Sequence, residues 1–434
     1  MKYAETIMDI TNTFKNGPLD ENELKKFYCG NTMEFRTGDK YSSPILDIYE
    51  ACQNPSDQNA FLLLGHKGCG KSTELNKMSA ELTKKGYHVF NIQCSQDLDL
   101  NNPHYTDLLI LMGEALLKIS DEVHCDLDKK TKSQIISFWT TEIDESKTII
   151  DSDILLLEAG IQAETPKFLS SILQVFTKVK ADLKYSEEKR SNYRKRISHR
   201  SSEWLFMLRQ ISDEITRQLD GKQPIIIFED LDKINPQDAW DVFSNYAATL
   251  TGISIPIIYT FPIALSYDPR FAALEGYFIP KTLPVIKQET IDGEVYKEGV
   301  DVIIEIVKKR AALHLFEDKV LEILINKTGG SLRDLFYAIN ASAQRAIRRN
   351  SDTISFEDIK KALEELKTSL TRRIERKHYS FLANIYNGNR QLIEDKEMLL
   401  TMLQANAVLE YNGERWHNVH PLVGDFLKEQ ELVQ

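Results

Sequence analysis

This sequence predicts an α/β fold, a parallel sheet bearing a glycine-rich P-loop, with a helical insertion, a four-helix lid and a C-terminal winged-helix segment. Three observations predict it. The apolar run FLLL at 61–64 passes through a glycine-rich turn into a helix. Strand-like and helical stretches alternate around it, as in βαβ units. The runs IIIF (225–228) and IPIIYTF (255–261) are apolar throughout rather than alternating, as in strands covered on both faces.

In chain order, residues 1–60 mix short helical signals with turns. Within them PILDIYEAC (44–52) puts Ile45, Ile48, Tyr49 and Cys52 on one helical face. After the strand at 61–64, STELNKMSAELTKKG closes on lysines and a glycine, the composition of a helix end. YHVFNIQCS (87–95) reads as the next strand and completes a βαβ unit. From about 100 to 222 amphipathic helical periodicity replaces strand signal; this is too long for an ordinary crossover and is read as an insertion. PIIIFEDLD (224–232), ISIPIIYTF (253–261) and GYFIPKTLPVI (276–286) return the chain to the sheet. Four helical stretches follow, and the end reads helix (about 371–387), helix (about 394–405), two-stranded ribbon, helix, the outline of a winged helix. The expected units are 1–60, 61–286 including the insertion, 287–367 and 368–434.

With 434 residues, 42% of them hydrophobic, the chain has room for about three domains, each with a core of its own. Lys2, Glu5, Asp9 and Thr11 interrupt the opening residues, so no signal peptide is expected. No apolar run approaches the roughly 20 residues that span a bilayer, and a cytoplasmic protein without a membrane partner is expected. Five cysteines, an odd number with no C-x-x-C spacing, argue against a zinc site or a disulfide framework. A formal charge of −11 disfavours wholesale coating of nucleic acid, though a local basic patch is still compatible with it.

The turn matches G-x-x-x-x-G-K-[ST] as Gly65, His66, Lys67, Gly68, Cys69, Gly70, Lys71 and Ser72, with Thr73 next. Glycines let successive N–H groups turn inward, and the helix N-terminus adds positive potential, so the loop suits a polyphosphate. Lys71 is then expected on the β- and γ-phosphates and Ser72 on Mg²⁺. Hydrolysis needs carboxylates at a second strand end, which PIIIFEDLDK supplies. Glu229 stands where an aspartate usually supports the metal, and Asp230 where a carboxylate polarises water. Glutamate is one methylene longer, so the opposite register, with Asp230 toward the metal, stays open. Asp232 follows on the same loop. Thr260 is the one strongly polar tip of its strand, suited to sensing γ-phosphate or to capping a turn. In GGSLRD (329–334), Ser331 reads as a helix N-cap and Arg333 lies in the first turn, where it opposes the helix dipole unless an anion offsets it.

The order of strand, P-loop, IIIFEDLD, polar-tipped strand, GGSLR helix and C-terminal winged helix resembles the AAA+ superfamily, in particular the group containing origin-recognition initiator ATPases and STAND ATPases. The resemblance covers most of 27–434 apart from the insertion. It implies Lys71 and Ser72 as the Walker A pair, Glu229 and Asp230 as Walker B, Thr260 at sensor 1 and Arg333 at sensor 2. It also implies adenine held between about Phe27 and Tyr49, and an intersubunit arginine finger for which Arg270 is the candidate. The N-K-x-D signature of guanine recognition is absent, because Asn326-Lys327-Thr328-Gly329 lacks the carboxylate. ATP with Mg²⁺ is therefore the expected ligand, and an ATPase acting on its own oligomerisation or on a partner protein the expected function.

A winged helix invites a DNA-binding reading, but its charges oppose it. Residues 367–434 hold nine Lys or Arg and nine Asp or Glu, and the helix that would enter a groove opens with Glu394, Asp395 and Glu397. A better candidate for nucleic acid is the cluster Lys189, Arg190, Arg194, Lys195, Arg196 and Arg200 around Tyr193. A solvated helix or a docking face for an acidic partner is the preferred reading of that cluster.

Overall fold

The computed structural model describes the chain except for residues 31, 38, 40–41, 55–57, 141–164, 392 and 412–414. Its centre is a five-stranded, wholly parallel sheet in the order β2-β3-β4-β1-β5. The strands are β1 (Ala60–Gly65), β2 (Val89–Gln93), β3 (Ile225–Glu229), β4 (Ile257–Pro262) and β5 (Ile279–Thr282). All three apolar runs singled out in the sequence are strands. Because the sheet is parallel, the ends that carry chemistry lie along one edge: Gly65 pairs with Pro262, and Gln93 with Glu229.

Alternate residues of the central strands enter different cores, as strand geometry requires. Leu62, Leu64, Ile226, Phe228, Ile257, Tyr259 and Phe261 pack toward the helical insertion. Phe61, Leu63, Ile225, Ile227 and Ile258 pack on the Lys71–Lys84 helix through Leu75, Met78 and Leu82. Burying both faces explains why the sequence shows unbroken apolar runs.

The described part of 100–222 is helical: Tyr105–Glu122, Lys129–Thr140, Thr165–Tyr185, Glu187–His199 and Ser201–Gln218. The Tyr105–Glu122 helix is apolar on nearly every side because it lies between the sheet and the other four. The expected four-helix run is present as Lys297–Lys308, Val320–Lys327, Leu332–Arg348 and Phe356–Thr371.

Two expectations change. Residues 1–60 do not form one segment: Ala4, Ile7, Ile10 and Phe14 join the core of the four-helix unit, whereas Ile45, Ile48 and Cys52 pack on the sheet. The helix expected over about 371–387 is two pieces. The Phe356–Thr371 helix runs past its expected end, and a new helix, Tyr379–Tyr386, starts after a turn in which His378 accepts the Glu375 N–H at 2.9 Å. The chain then runs helix Lys396–Gln404, antiparallel ribbon β6 (Val408–Tyr411) and β7 (Trp416–Val419), and helix Pro421–Glu429. Leu409, Tyr411 and Trp416 of the ribbon enter the same core as the sheet. Among the described residues no helix is long and apolar enough to cross a membrane.

Candidate functional site

The loop between β1 and the Lys71–Lys84 helix bends at Gly68 (φ 92°) and Gly70 (φ 106°), conformations that side chains rarely adopt. Gly68 is needed for a second reason. A Cβ there would stand 2.4 Å from the Cβ of Arg333, whose own N–H donates to the Gly68 carbonyl at 3.4 Å. The first turn of the Leu332–Arg348 helix, capped by Ser331, is thus seated directly on the glycine loop.

Lys71 is buried, and its ammonium donates to the carbonyls of Gly65 (2.8 Å) and His66 (3.1 Å). It also pairs with Asp232 at 2.9 Å. Burial alone would push the Lys71 ammonium down, but Asp232 holds it above the usual lysine range. Burial works equally against the Asp232 carboxylate, and Lys71 outweighs it, so Asp232 sits below its usual range. Asp232 was read only as a neighbour on the acidic loop; its pairing with Lys71 joins residues far apart in sequence and has no local signature.

Glu229 ends β3, fully buried. Its Oε1 accepts from Gln93 Nε2 at 2.9 Å, and Oε2 has no hydrogen-bond partner. Burial pushes this carboxyl up to about 7, against the nearby Ser72 hydroxyl and the Gln93 hydrogen bond, which favour its ionised form. A buried carboxylate oxygen without a partner beside the Ser72 hydroxyl fits a divalent cation. No cluster of three or more His, Cys, Asp or Glu able to hold a metal occurs among the described residues. Phosphate oxygens would therefore have to complete the shell, as is usual for Mg²⁺. Asp230 follows in the left-handed region (φ 71°). Its Oδ2 accepts from the Ser95 hydroxyl, and its Oδ1 pairs with Lys233 at 2.5 Å.

Of these groups Lys71, Asp230 and Asp232 line a cavity of about 320 Å³, and the buried Glu229 does not reach its lining. Gly68, Gly70, Lys71, Ser72 and Thr73 form its floor, Asp230 and Asp232 one wall, and Arg333 the lid side. Its apolar end has Phe27, Ile306 and Phe336, while Leu19 and Leu332 lie by the glycine loop, the Leu19 N–H donating to the Thr73 hydroxyl at 3.3 Å. Phe27, Tyr28, Thr32 and Arg36 come from the stretch expected to hold adenine, parts of which (31, 38, 40–41) lie outside the described residues. Residues 13 and 15–19, from the 1–60 unit expected on the adenine side, also line the cavity. Two further buried arginines were also missed. Arg36 donates to the Pro284 carbonyl at 2.6 Å and leaves its Nε unpartnered. Arg310 donates to the Ile306 carbonyl at 2.8 Å, and burial pushes its guanidinium down to about 10. A lone arginine in a helical segment gives no sequence signal for either.

Several expected side chains lie elsewhere. Cys69 is buried in the core behind the loop. His66 is buried against the ribbon, where Nε2 accepts the Glu410 N–H at 2.8 Å and Nδ1 lies 3.5 Å from Asn406 Oδ1. Burial holds that imidazole down at about 3, so it is neutral. Lys67 faces a small crevice shared with Pro262, Leu403 and Asn406. These three contribute backbone to the loop but no side chain to the cavity. Thr260 is buried outside the cavity wall, and its hydroxyl accepts the Leu231 N–H at 3.1 Å and donates to the Phe228 carbonyl at 3.3 Å. It braces the acidic loop. Arg270 is exposed on the surface, paired with Asp268 at 2.6 Å and lying over the Trp240 ring.

Most of the basic cluster at 189–200 is engaged internally, and Lys195 is exposed. Lys189 pairs with Asp182 at 3.0 Å, Arg190 with Asp99 at 2.8 Å and Arg194 with Asp107 at 2.6 Å. Arg196 donates to the Trp139 carbonyl, and Arg200 pairs with Glu203 at 2.5 Å. Tyr193, 3% exposed, has no face open to a base. These pairs weigh against the less favoured phosphate-binding reading, and those with Asp99 and Asp107 join residues far apart in sequence.

No family model matches this chain. No curated protein matches it. Among solved structures it is similar to Cdc6p of Pyrobaculum aerophilum, at 13% identity over 98% of this chain and 100% of that one, with a TM-score of 0.41. It is similar to a Walker-type ATPase of Pyrococcus abyssi, at 13% identity over 96% and 99%, TM-score 0.47. It is also similar to the RuvB Holliday junction branch migration motor of Thermotoga maritima, at 10% identity over 95% and 97%, TM-score 0.36.

Proposed function

We propose that this chain is an ATP-binding and ATP-hydrolysing switch of AAA+ or STAND type, whose output is conformational: oligomerisation or control of a partner protein. One observation carries the reading. A single cavity brings together a glycine loop with a buried lysine, two acidic residues from the end of β3 and its loop, and Arg333 from the unit seated on that loop. Loop amides and Lys71 take the β- and γ-phosphates, displacing Asp232 from the ammonium. The apolar end takes adenine, with Phe27, Ile306 and Phe336 about the base. Ser72 and Glu229 hold Mg²⁺, which supplies charge neutralisation on the phosphate oxygens. Asp230 accepts a proton from water as its oxygen bonds to the γ-phosphorus and the bond to the β–γ bridging oxygen breaks, leaving ADP with the electron pair. Arg333 senses loss of the γ-phosphate and, because its helix is seated on the loop, transmits that loss to the C-terminal winged-helix-like unit.

A role in prokaryotic signalling or defence against mobile elements follows only from the STAND resemblance. The alternative of a DNA-binding initiator or transposition regulator loses support from the internal pairing of the 189–200 cluster. The alternative of a nucleotide-locked scaffold gains some from Asp230, both of whose oxygens are engaged. Calorimetry with Mg·ATP, phosphate release and sizing with a non-hydrolysable ATP analogue test the reading together. Binding with turnover and a change of size are expected. Absence of binding overturns the proposal, and binding without turnover under any condition turns it into the scaffold.

A further inference from the structure

The segment that follows β2 is gripped from the helical insertion. Lys184, on the Thr165–Tyr185 helix, donates from Nζ to the carbonyls of Ser95 at 3.0 Å and Gln96 at 2.5 Å. One turn earlier, Lys180 pairs with Asp97 at 3.2 Å and with the buried Glu114 at 3.1 Å. On the next helix, Arg190 pairs with Asp99 at 2.8 Å. Three cations from the insertion therefore hold one five-residue stretch. The carbonyls that Lys184 takes belong to the short Cys94–Asp97 helix, whose end favours a cation.

That stretch presents the Ser95 hydroxyl to the cavity, where it donates to Oδ2 of Asp230. The other Asp230 oxygen pairs with Lys233 at 2.5 Å, so each oxygen of the carboxylate already serves a protein partner. A general base must point a lone pair at the proton it takes, and geometry decides this before anything else. With Ser95 clamped from behind, Asp230 cannot turn toward water without losing that hydrogen bond.

We propose that Lys184 is a positioning residue: by clamping the Ser95 and Gln96 carbonyls it keeps Ser95 on Asp230 and withholds that carboxylate from water, so that the insertion sets the turnover rate. This rests on the reading of Asp230 as the proton acceptor. Lys184 contacts no part of the cavity floor, so its effect should fall on the chemical step and not on nucleotide affinity.

The test compares the full chain with Lys184→Met, Lys184→Arg, Ser95→Ala and the Lys184→Met/Ser95→Ala double variant. Under saturating Mg·ATP, kcat for phosphate release is expected to rise roughly fivefold in Lys184→Met, the scale of one lost hydrogen bond, with KM and calorimetric ATP affinity unchanged. Ser95→Ala should match it, the double variant should add nothing further, and Lys184→Arg should turn over like the parent. An unchanged or lower kcat in Lys184→Met, or additive effects in the double variant, overturns the proposal. Should the parent and all variants bind ATP without turnover, the ATPase reading fails separately and hydrogen exchange decides the coupling. Faster exchange at 229–233 in Lys184→Met supports the clamp, and exchange confined to 94–99 overturns it.

Discussion

His66 Nε2 accepts the backbone N–H of Glu410 at 2.8 Å, which bonds the second residue of the glycine loop directly to the ribbon of the C-terminal unit. The imidazole is buried and neutral, and Nδ1 faces Asn406. The glycine loop is therefore tied to the C-terminal unit as well as to the Leu332–Arg348 helix. Loss of that acceptor leaves a buried N–H without a partner. His66→Ala is expected to destabilise the chain by about 1–3 kcal/mol. Urea titration of the variant and the parent measures this, and equal midpoints would show the bond to be idle.

The Lys71–Asp232 pair is expected to compete with nucleotide. Lys71→Ala should abolish Mg·ATP binding in calorimetry. Asp232→Asn leaves a buried ammonium short of its counter-ion, and breaking such a pair costs about 3–5 kcal/mol. The variant should melt lower than the parent without nucleotide, yet gain more from saturating Mg·ATP. An equal gain would mean that Asp232 stays on Lys71 when phosphate is bound.

Glu229 gives stability a pH dependence of definite sign. Its pKa is raised from 4.5 to about 7, chiefly by burial, so over that interval the folded chain holds a proton that the unfolded chain releases. Its contribution is complete below about 4.5 and is lost as pH rises through 7. Glu229→Gln should accordingly melt higher than the parent at pH 8, by a margin that shrinks at pH 5. Calorimetry at pH 6 in buffers of different ionisation heat should detect a proton released when Mg·ATP binds the parent but not the variant.

The contact between Gly68 and Arg333 predicts two different defects. Gly68→Ala would set a methyl 2.4 Å from the Arg333 Cβ at a backbone angle that side chains rarely adopt, pushing the Leu332–Arg348 helix off the loop and weakening ATP binding. Arg333→Met leaves the loop intact and should retain binding while phosphate release falls, by roughly the 10² or more that a lost electrostatic stabiliser commonly costs. Stopped-flow binding and single-turnover hydrolysis separate the two.

Arg194 should behave as a structural residue. Asp107, 2% exposed, relies on it at 2.6 Å, so Arg194→Met is expected to cost about 3–5 kcal/mol in chemical denaturation. Filter binding to DNA across a salt series should give a shallow slope for the parent, because Arg190, Arg194 and Arg200 already have carboxylate partners. A steep negative slope that Arg194→Met flattens would contradict this.

What the sequence made legible was local. The unbroken apolar runs, the glycine spacing before Lys71 and the Ser331 cap are patterns that a few neighbouring residues impose on themselves, and the structure builds strands, loop and helix on them. What stayed hidden was made by distant partners. Nothing near Asp232 says that it will meet Lys71, and nothing near Arg36 or Arg310 says that they will be buried beside the cavity. The pairing of the basic run at 189–200 was hidden for the same reason, since Asp99, Asp107 and Asp182 reach it from outside its own helix. Thr260 was seen as the polar tip of its strand, but β4 runs two residues further to Pro262, and the partner of its hydroxyl, the Leu231 amide, depends on the turn after β3.

Because the Lys71 ammonium is never left bare, a phosphate arriving at it makes a swap of counter-charges rather than a capture. The incoming anion must evict a carboxylate, which discounts its grip, and the departing one is followed out by that carboxylate swinging back. On the proposed reading, phosphate at Lys71 holds less tightly than it would on a bare ammonium, by the worth of the pair it replaces.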